Sequence, residues 1–359
     1  MRLIIIRNEN NSHYYLIKEN CMKFWLRIVV IFYMMTNVSI ANEVNVFSSR
    51  HYDSDIELYK KFTEKTGIKV NVISGKDAAL QKRITEEGKD SKADLYVTSD
   101  AGRLSLFDKK GMFQNSISSV IKQKVPENLR SENWVAISKR ARILFYSKDR
   151  VKQQELKNLR YEDLAKPEWK NRIVVRQSNN IYNLSWVASL ISNNGIKETE
   201  KWTKGLVNNF ARSPKGNDRA QILAEAAGEA DLAIANTYYY ALMLSGQKGK
   251  DQQEAAKKVL PFFPNSNDRG THINISGMGI LKNSPNPKNA IRLIEFLLTK
   301  EAQTHIVNNT FEYPIIEGVE PNQLIQDMGN FKQDLNTNVN QYGLYLGEAL
   351  KIMLQSGWK

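Results

Sequence analysis

Two long β-like runs constrain this chain more than any other feature. Trp134–Tyr146 and Thr271–Leu281 are rich in strand formers and poor in breakers. A strand usually spans about five or six residues. Runs of this length predict segments that pass from one lobe into another, one outward and one back. Two lobes joined by two crossings enclose a cleft, and clefts are where ligands bind.

The remaining segments supply the lobes. Glu43–Phe47 reads as a strand, and Asp55–Thr66 carries Ile56, Leu58 and Phe62 at helical spacing before the stop at Gly67. Ile68–Ile73 alternates as a strand, Ala78–Glu87 is helical, Ala93–Thr98 is a third strand, and Asp100 is placed to cap the helix after it. A second series follows, with a strand at Arg172–Arg176, helices at Tyr182–Asn193 and Glu198–Asn208, and a strand at Ala230–Ala235. The C-terminal part is helical over Asn286–Leu298, Glu301–Asn308 and Asn340–Gln355. Alternating β and α units predict parallel sheet with helices on both faces. The expected lobes are residues 42–140 with 271–318, and 141–270 with 319–359. Ser276-Gly277-Met278-Gly279 reads as a close-packed crossing strand, since no glycine-rich phosphate loop is present.

Residues 22–41 form a pattern of their own. Lys23 and Arg27 precede eight unbroken apolar residues, Ile28–Met35, and Ser39-Ile40-Ala41 offers small residues around a cleavage point. This predicts a secretory signal peptide cut after Ala41, with Met22 a plausible start behind an upstream extension. The apolar run is too short to span a membrane, which takes about 20 residues. Loss of residues 1–41 leaves 318 residues and lowers the net charge from +13 to +10, because five basic and two acidic residues leave. Cys21, the sole cysteine, leaves too. The working chain then has no disulfide and no thiolate metal site.

Ligands in open α/β sheets sit beyond the carboxyl ends of strands, so the residues just after the strands carry the argument. They are Ser48-Ser49-Arg50-His51-Tyr52-Asp53, Ser178-Asn179-Asn180-Ile181-Tyr182, and Ala235-Asn236-Thr237-Tyr238-Tyr239-Tyr240. Tyrosine recurs at these junctions in both expected lobes. Three consecutive tyrosines are hard to bury, because each hydroxyl needs a partner once it leaves water. For the triplet, packing and ligand binding both remain open on composition alone.

The triplet's context, Ile-Ala-Asn-Thr-Tyr-Tyr-Tyr, together with His51-Tyr52 and Tyr161-Glu162-Asp163-Leu164-Ala165-Lys166-Pro167-Glu168-Trp169-Lys170, resembles the periplasmic ferric-ion-binding proteins of ABC importers. It is most similar to their cyanobacterial, iron-deficiency-induced branch. The resemblance covers nearly all of residues 43–357. It implies a two-lobe, type II periplasmic-binding-protein fold, Fe(III) as the bound ion, and membrane permease subunits as partners. It also implies the metal ligands Tyr52, Tyr182, Tyr238 and Tyr239, with His51 as a further ligand in some members. Tyr240 would point elsewhere. Other branches carry a carboxylate just after the third strand. This chain has Ser99 there and Asp100 one place later, so the resemblance implies no carboxylate ligand.

The chemistry fits that set. Fe(III) is a hard ion and prefers oxygen donors. A free phenol has a pKa near 10, but a trivalent ion displaces its proton. Four phenolates on Fe(III) leave the centre at −1, which calls for a compensating cation. Arg103 is the first expectation, with Arg50 and Arg176 as alternates. Histidine occurs only at 13, 51, 272 and 305, without helical pairing, so a zinc site has no support. No nucleophile–base arrangement can be picked out, and an enzyme is not expected. Two other readings use the same residues. In one, the fold binds an organic or anionic solute such as an oxyanion, polyamine or sugar phosphate. In the other, a basic protein docks peripherally on an anionic membrane. A monomer is expected, and nucleic acid is not an expected partner.

Overall fold

The computed structural model describes residues 42–50 and 52–359. The expected leader and His51 lie outside the described residues. Eight strands form one sheet, in the order β2 (Lys69–Ser74), β1 (Glu43–Ser48), β3 (Leu95–Thr98), β8 (Ile273–Ile280), β4 (Trp134–Tyr146), β6 (Leu232–Asn236), β5 (Ile173–Val174), with β7 (Leu260–Phe262) also on β4. The parallel expectation holds at each end only, where β1 pairs with β2 and β3, and β5 with β6. In the middle, β8 is antiparallel to β3 and β4, and β4 is antiparallel to β6 and β7. The reason lies in the two long runs. Each travels between the two ends of the sheet against its neighbours, so it joins the βαβ units without continuing them.

β4 changes partner along its length. Trp134–Ala141 lies on β8, whereas Arg142–Tyr146 lies on β6. Its register with β8 shifts between Ala136 and Ser138, which leaves Ile137 as an extra residue. Such a bulge re-aims the side chains that follow it. Beyond it, Ser138, Arg140 and Arg142 share one face of the strand by simple alternation. β8 approaches its neighbours closely. A Cβ on Gly277 would lie 2.7 Å from the Val135 carbonyl oxygen, and one on Gly279 would lie 2.8 Å from the Phe113 ring. These contacts explain the glycines of the Ser276–Gly279 run.

The helices form for local reasons. Pro287 opens the helix Pro287–Leu297, and its Ala290, Leu293, Ile294 and Leu297 recur at core-facing spacing and are buried. Each such Leu or Ile contributes about 2 kcal/mol through burial. Gly67, at φ 69°, ends the first helix, Asp53–Thr66, as its sequence predicts. Asp100 caps Ala101–Lys109 by accepting from the Arg103 backbone N–H at 2.9 Å. Trp186 packs edge-on against Trp202 at 5.1 Å in a core that also holds Trp134, Trp169 and Trp358. Several elements escaped the sequence reading, among them the helix Asp218–Ala226 and strand β7. Asp218 proves central to the site.

Candidate metal centre

Each of the four tyrosines stands at a helix N-terminus. Tyr52 is the N-cap residue of Asp53–Thr66, with extended backbone. Tyr182 is the second residue of Ile181–Asn194, whose cap Asn180 accepts from the Tyr182 N–H at 3.1 Å. Tyr238 and Tyr239 are the second and third residues of Thr237–Leu244, which starts where β6 ends. Helix N-termini carry partial positive charge and favour anions. Three helix starts therefore carry the four phenols toward one region.

The side chains converge. The Tyr238 hydroxyl donates to the Tyr182 hydroxyl at 3.3 Å, and the Tyr238 and Tyr239 rings lie 4.1 Å apart. Burial holds the Tyr52 phenol well above its ordinary pKa, and the Glu312, Tyr182 and Tyr239 charges raise it further against the lowering effect of Arg50. Burial also raises Tyr238, aided by Tyr182, Tyr239 and Tyr52. Tyr239 is raised by burial, Tyr182 and Asp218. Each phenol thus feels the others. Burial and crowding thus favour the protonated forms of Tyr52, Tyr238 and Tyr239. Tyr240 belongs to the core. Its hydroxyl donates to the Val259 carbonyl at 2.9 Å, and its ring lies 4.8 Å from Phe145.

The structure gives the three expected arginines different surroundings. The Arg50 guanidinium lies over the Tyr52 ring at 4.6 Å, and Arg176 lies over Tyr182 at 5.6 Å. Arg103 makes an ion pair with Asp77. It lines an opening of 290 Å³ beside Arg176 and Asn180, but no contact joins it to a tyrosine ring. The sequence reading missed Arg140, whose guanidinium lies 5.3 Å from the Tyr182 ring centroid. It also missed Arg142, which bonds Asn236 at 3.1 Å and Asn183 at 2.6 Å. Arg142 therefore ties together the two helix starts that carry Tyr238 and Tyr182. A signal for both was present. Arginines at alternate positions inside an apolar strand are rarely buried unless paired.

Their counter-charges are buried as well. Arg50 pairs with Asp55 and Glu312, each at 2.8 Å, and Arg140 reaches Glu312 at 3.7 Å. Asp218 accepts from Arg142 at 3.1 Å and from Arg176 at 3.2 Å. Four guanidinium groups against the three carboxylates Asp55, Glu312 and Asp218 leave one positive charge. Arg50 Nη2 and Asn236 Nδ2 are buried donors without a protein partner, so donor capacity at the cluster is unspent. Asp100 is committed elsewhere, accepting from Ser185 and Asn274 at 2.7 Å each. Among the described residues, no cluster of three or more His, Cys, Asp or Glu side chains is placed to hold a metal.

Known proteins resemble this chain over most of its length. The family model for bacterial extracellular solute-binding proteins matches residues 49–304. Iron uptake protein A1 of Synechocystis is 47% identical over 319 residues, covering 88% of each chain. The Fe(3+)-binding periplasmic protein of Serratia marcescens is 29% identical over 77% of this chain and 80% of its own. Among solved structures, the Trichodesmium IdiA (FutA) protein in complex with iron and citrate ligands superposes with a TM-score of 0.85 at 48% identity, covering 88% of this chain and all of that one. The chain belongs to the bacterial extracellular solute-binding proteins and has their two-lobe, type II binding-protein fold.

Proposed function

We propose that this protein binds Fe(III) in the periplasm through the phenolate oxygens of Tyr52, Tyr182, Tyr238 and Tyr239 and delivers it to an ABC permease. One observation carries the reading: four tyrosines from three helix N-termini meet beside a buried arginine–carboxylate network with one surplus positive charge. The relatives' printed names, an iron uptake protein and a periplasmic Fe(3+)-binding protein, agree with it.

The binding step follows from the geometry. Fe(III) enters as cargo, and each phenol that ligates it gives up a proton. Arg50, Arg140 and Arg176 then face phenolates in place of neutral rings. Reduction to Fe(II) would add a negative charge to a site already at −1, so the set favours the ferric state. The proposed lobes, residues 42–140 with 271–318 and 141–270 with 319–359, put Tyr52 on one side and the other three tyrosines on the other. Closure about β4 and β8 would then complete the ligand set.

Ferric titration tests this, with visible absorbance and proton release read together. Ferric phenolates absorb visible light, so loading turns the protein orange to red and releases roughly one proton per phenolate formed. Colourless protein after loading, with heat evolved on titrating an oxyanion, polyamine or sugar phosphate in its place, would move the assignment to a solute-binding role.

A further inference from the structure

The strand that carries Arg140 into the tyrosine cluster has a second face, and a cavity of 730 Å³ lies against it. Successive side chains of a strand point to opposite faces. Ser138 and Arg140 face Glu312 and the tyrosines, so Lys139 faces the reverse side. Tyr313 pairs with Lys139 as an isolated antiparallel bridge, with backbone bonds of 3.0 and 2.7 Å. Directly paired residues share a face. Tyr313 and Lys139 therefore point together into this cavity, while Glu312 points into the site in front.

Both polar ends in the cavity are unpaired. The Lys139 ammonium has no ion-pair or hydrogen-bond partner among the described residues, and the Tyr313 hydroxyl is buried without one. A buried hydroxyl left unpartnered is destabilising. The same cavity is lined by Arg269 and Lys332, with Glu317 its sole carboxylate. Arg269 is already occupied by Glu162 at 2.6 Å, and Lys332 by the Asp268 carbonyl. Leu129, Ile315, Ile316 and Phe331 supply apolar lining. The cavity is thus positive, partly greasy, and furnished with an unspent cation and hydroxyl, with Asn128 Nδ2 and Gln333 Oε1 also buried there without a partner.

We propose that this cavity is a second binding site, on the reverse face of the crossing strand, for a small organic monoanion with an apolar body. The carboxylate sits on the Lys139 ammonium and accepts from the Tyr313 hydroxyl, and the hydrocarbon body packs on Ile315, Ile316 and Phe331. Burial supports the assignment of Lys139 as the unspent group, since it pushes the amine down to about 8 with no opposing charge beside it. An added carboxylate would reverse that shift.

The test is calorimetric titration of the iron-free protein with 4-phenylbutyrate, with its neutral analogue 4-phenylbutan-1-ol, and with inorganic phosphate. The expected result is one saturable site for 4-phenylbutyrate, with the alcohol and phosphate each at least about tenfold weaker. Lys139→Met should weaken 4-phenylbutyrate by about tenfold or more, while the ferric colour of the loaded protein is retained. Tyr313→Phe removes one oxygen, keeps the ring and should weaken it about threefold, so the test stands even if the lysine variant folds poorly. Absence of binding heat up to about 10 mM probe overturns the proposal. So does equal affinity in the wild type and both variants, which would put the probe elsewhere. Because no iron is used in the titration, its failure leaves the ferric reading untouched, and failure of ferric loading leaves this site untouched.

Discussion

The two regions that meet at the tyrosine cluster contribute unequally. One gives Tyr52 alone, half-buried at a helix start, with its guanidinium Arg50 fixed by Asp55 and Glu312. The other gives Tyr182, Tyr238 and Tyr239, whose helix starts are tied together by the single buried side chain Arg142 and by Asp218 behind it. The lesson is about order of assembly. Three phenols stand at two helix starts that one arginine, Arg142, ties together. The fourth comes from an element that reaches them only through tertiary contact. The larger group suits initial capture of the ion, and the single tyrosine suits sealing it in.

Substitution separates those roles. Tyr238 is buried among the other three phenols, so Tyr238→Phe should shift the visible band and weaken ferric binding by about a thousandfold. Tyr52→Phe should leave a three-phenolate site that still colours, with affinity down by about a hundredfold and faster ferric loss. Equal loss in both variants, measured by competition against a chelator, would break the distinction between capture and sealing. Arg140→Met removes a buried guanidinium beside Tyr182 and should cost roughly ten- to a hundredfold in ferric affinity, as loss of an outer partner of metal ligands does. Arg103→Ala should change affinity by no more than about twofold, because Arg103 pairs with Asp77 and is partly solvated. A larger effect for Arg103 than for Arg140 would return the compensating role to the residue expected from sequence.

The smallest effect concerns the crossing between the regions. His272 is buried, and burial together with Arg142, Arg140 and Arg269 holds its pKa well below the ordinary 6.5. The folded state therefore disfavours a proton that the unfolded chain accepts. The associated stability is complete above pH 6.5 and is lost as pH falls below it, at about 1.4 kcal/mol per pH unit for this one group. His272→Phe should flatten the melting temperature between pH 6.5 and 5. An unchanged slope would show that His272 is not the residue that makes the crossing acid-sensitive.

The legible and illegible parts of the molecule differ in kind. β4 matches the sequence reading residue for residue, and the helices at 181–194 and 196–208 lie within two residues of theirs, because periodicity and stop residues are local signals. The four tyrosines were legible because each follows a strand at a helix start. Arg140, Arg142, Glu312 and Asp218 were not, because they act through ion pairs, with Arg50 and Arg176 among their partners, that span 42 to 262 residues of chain. Arg103 was chosen for its place one turn past a strand, yet place along the chain does not say which carboxylate a guanidinium will meet.

By itself the sequence determined the α/β alternation, the two crossing strands and the placing of tyrosines at helix starts. All of these rest on short-range patterns of shape and polarity. Only the tertiary structure decided which cations face the phenols, why Asp100 is spent on Ser185 and Asn274, and that Lys139 turns its unpaired ammonium away from the site that Arg140 serves. The physical reason is that charge compensation and burial depend on distance in space. A chain that crosses itself twice sets those distances only when it has folded.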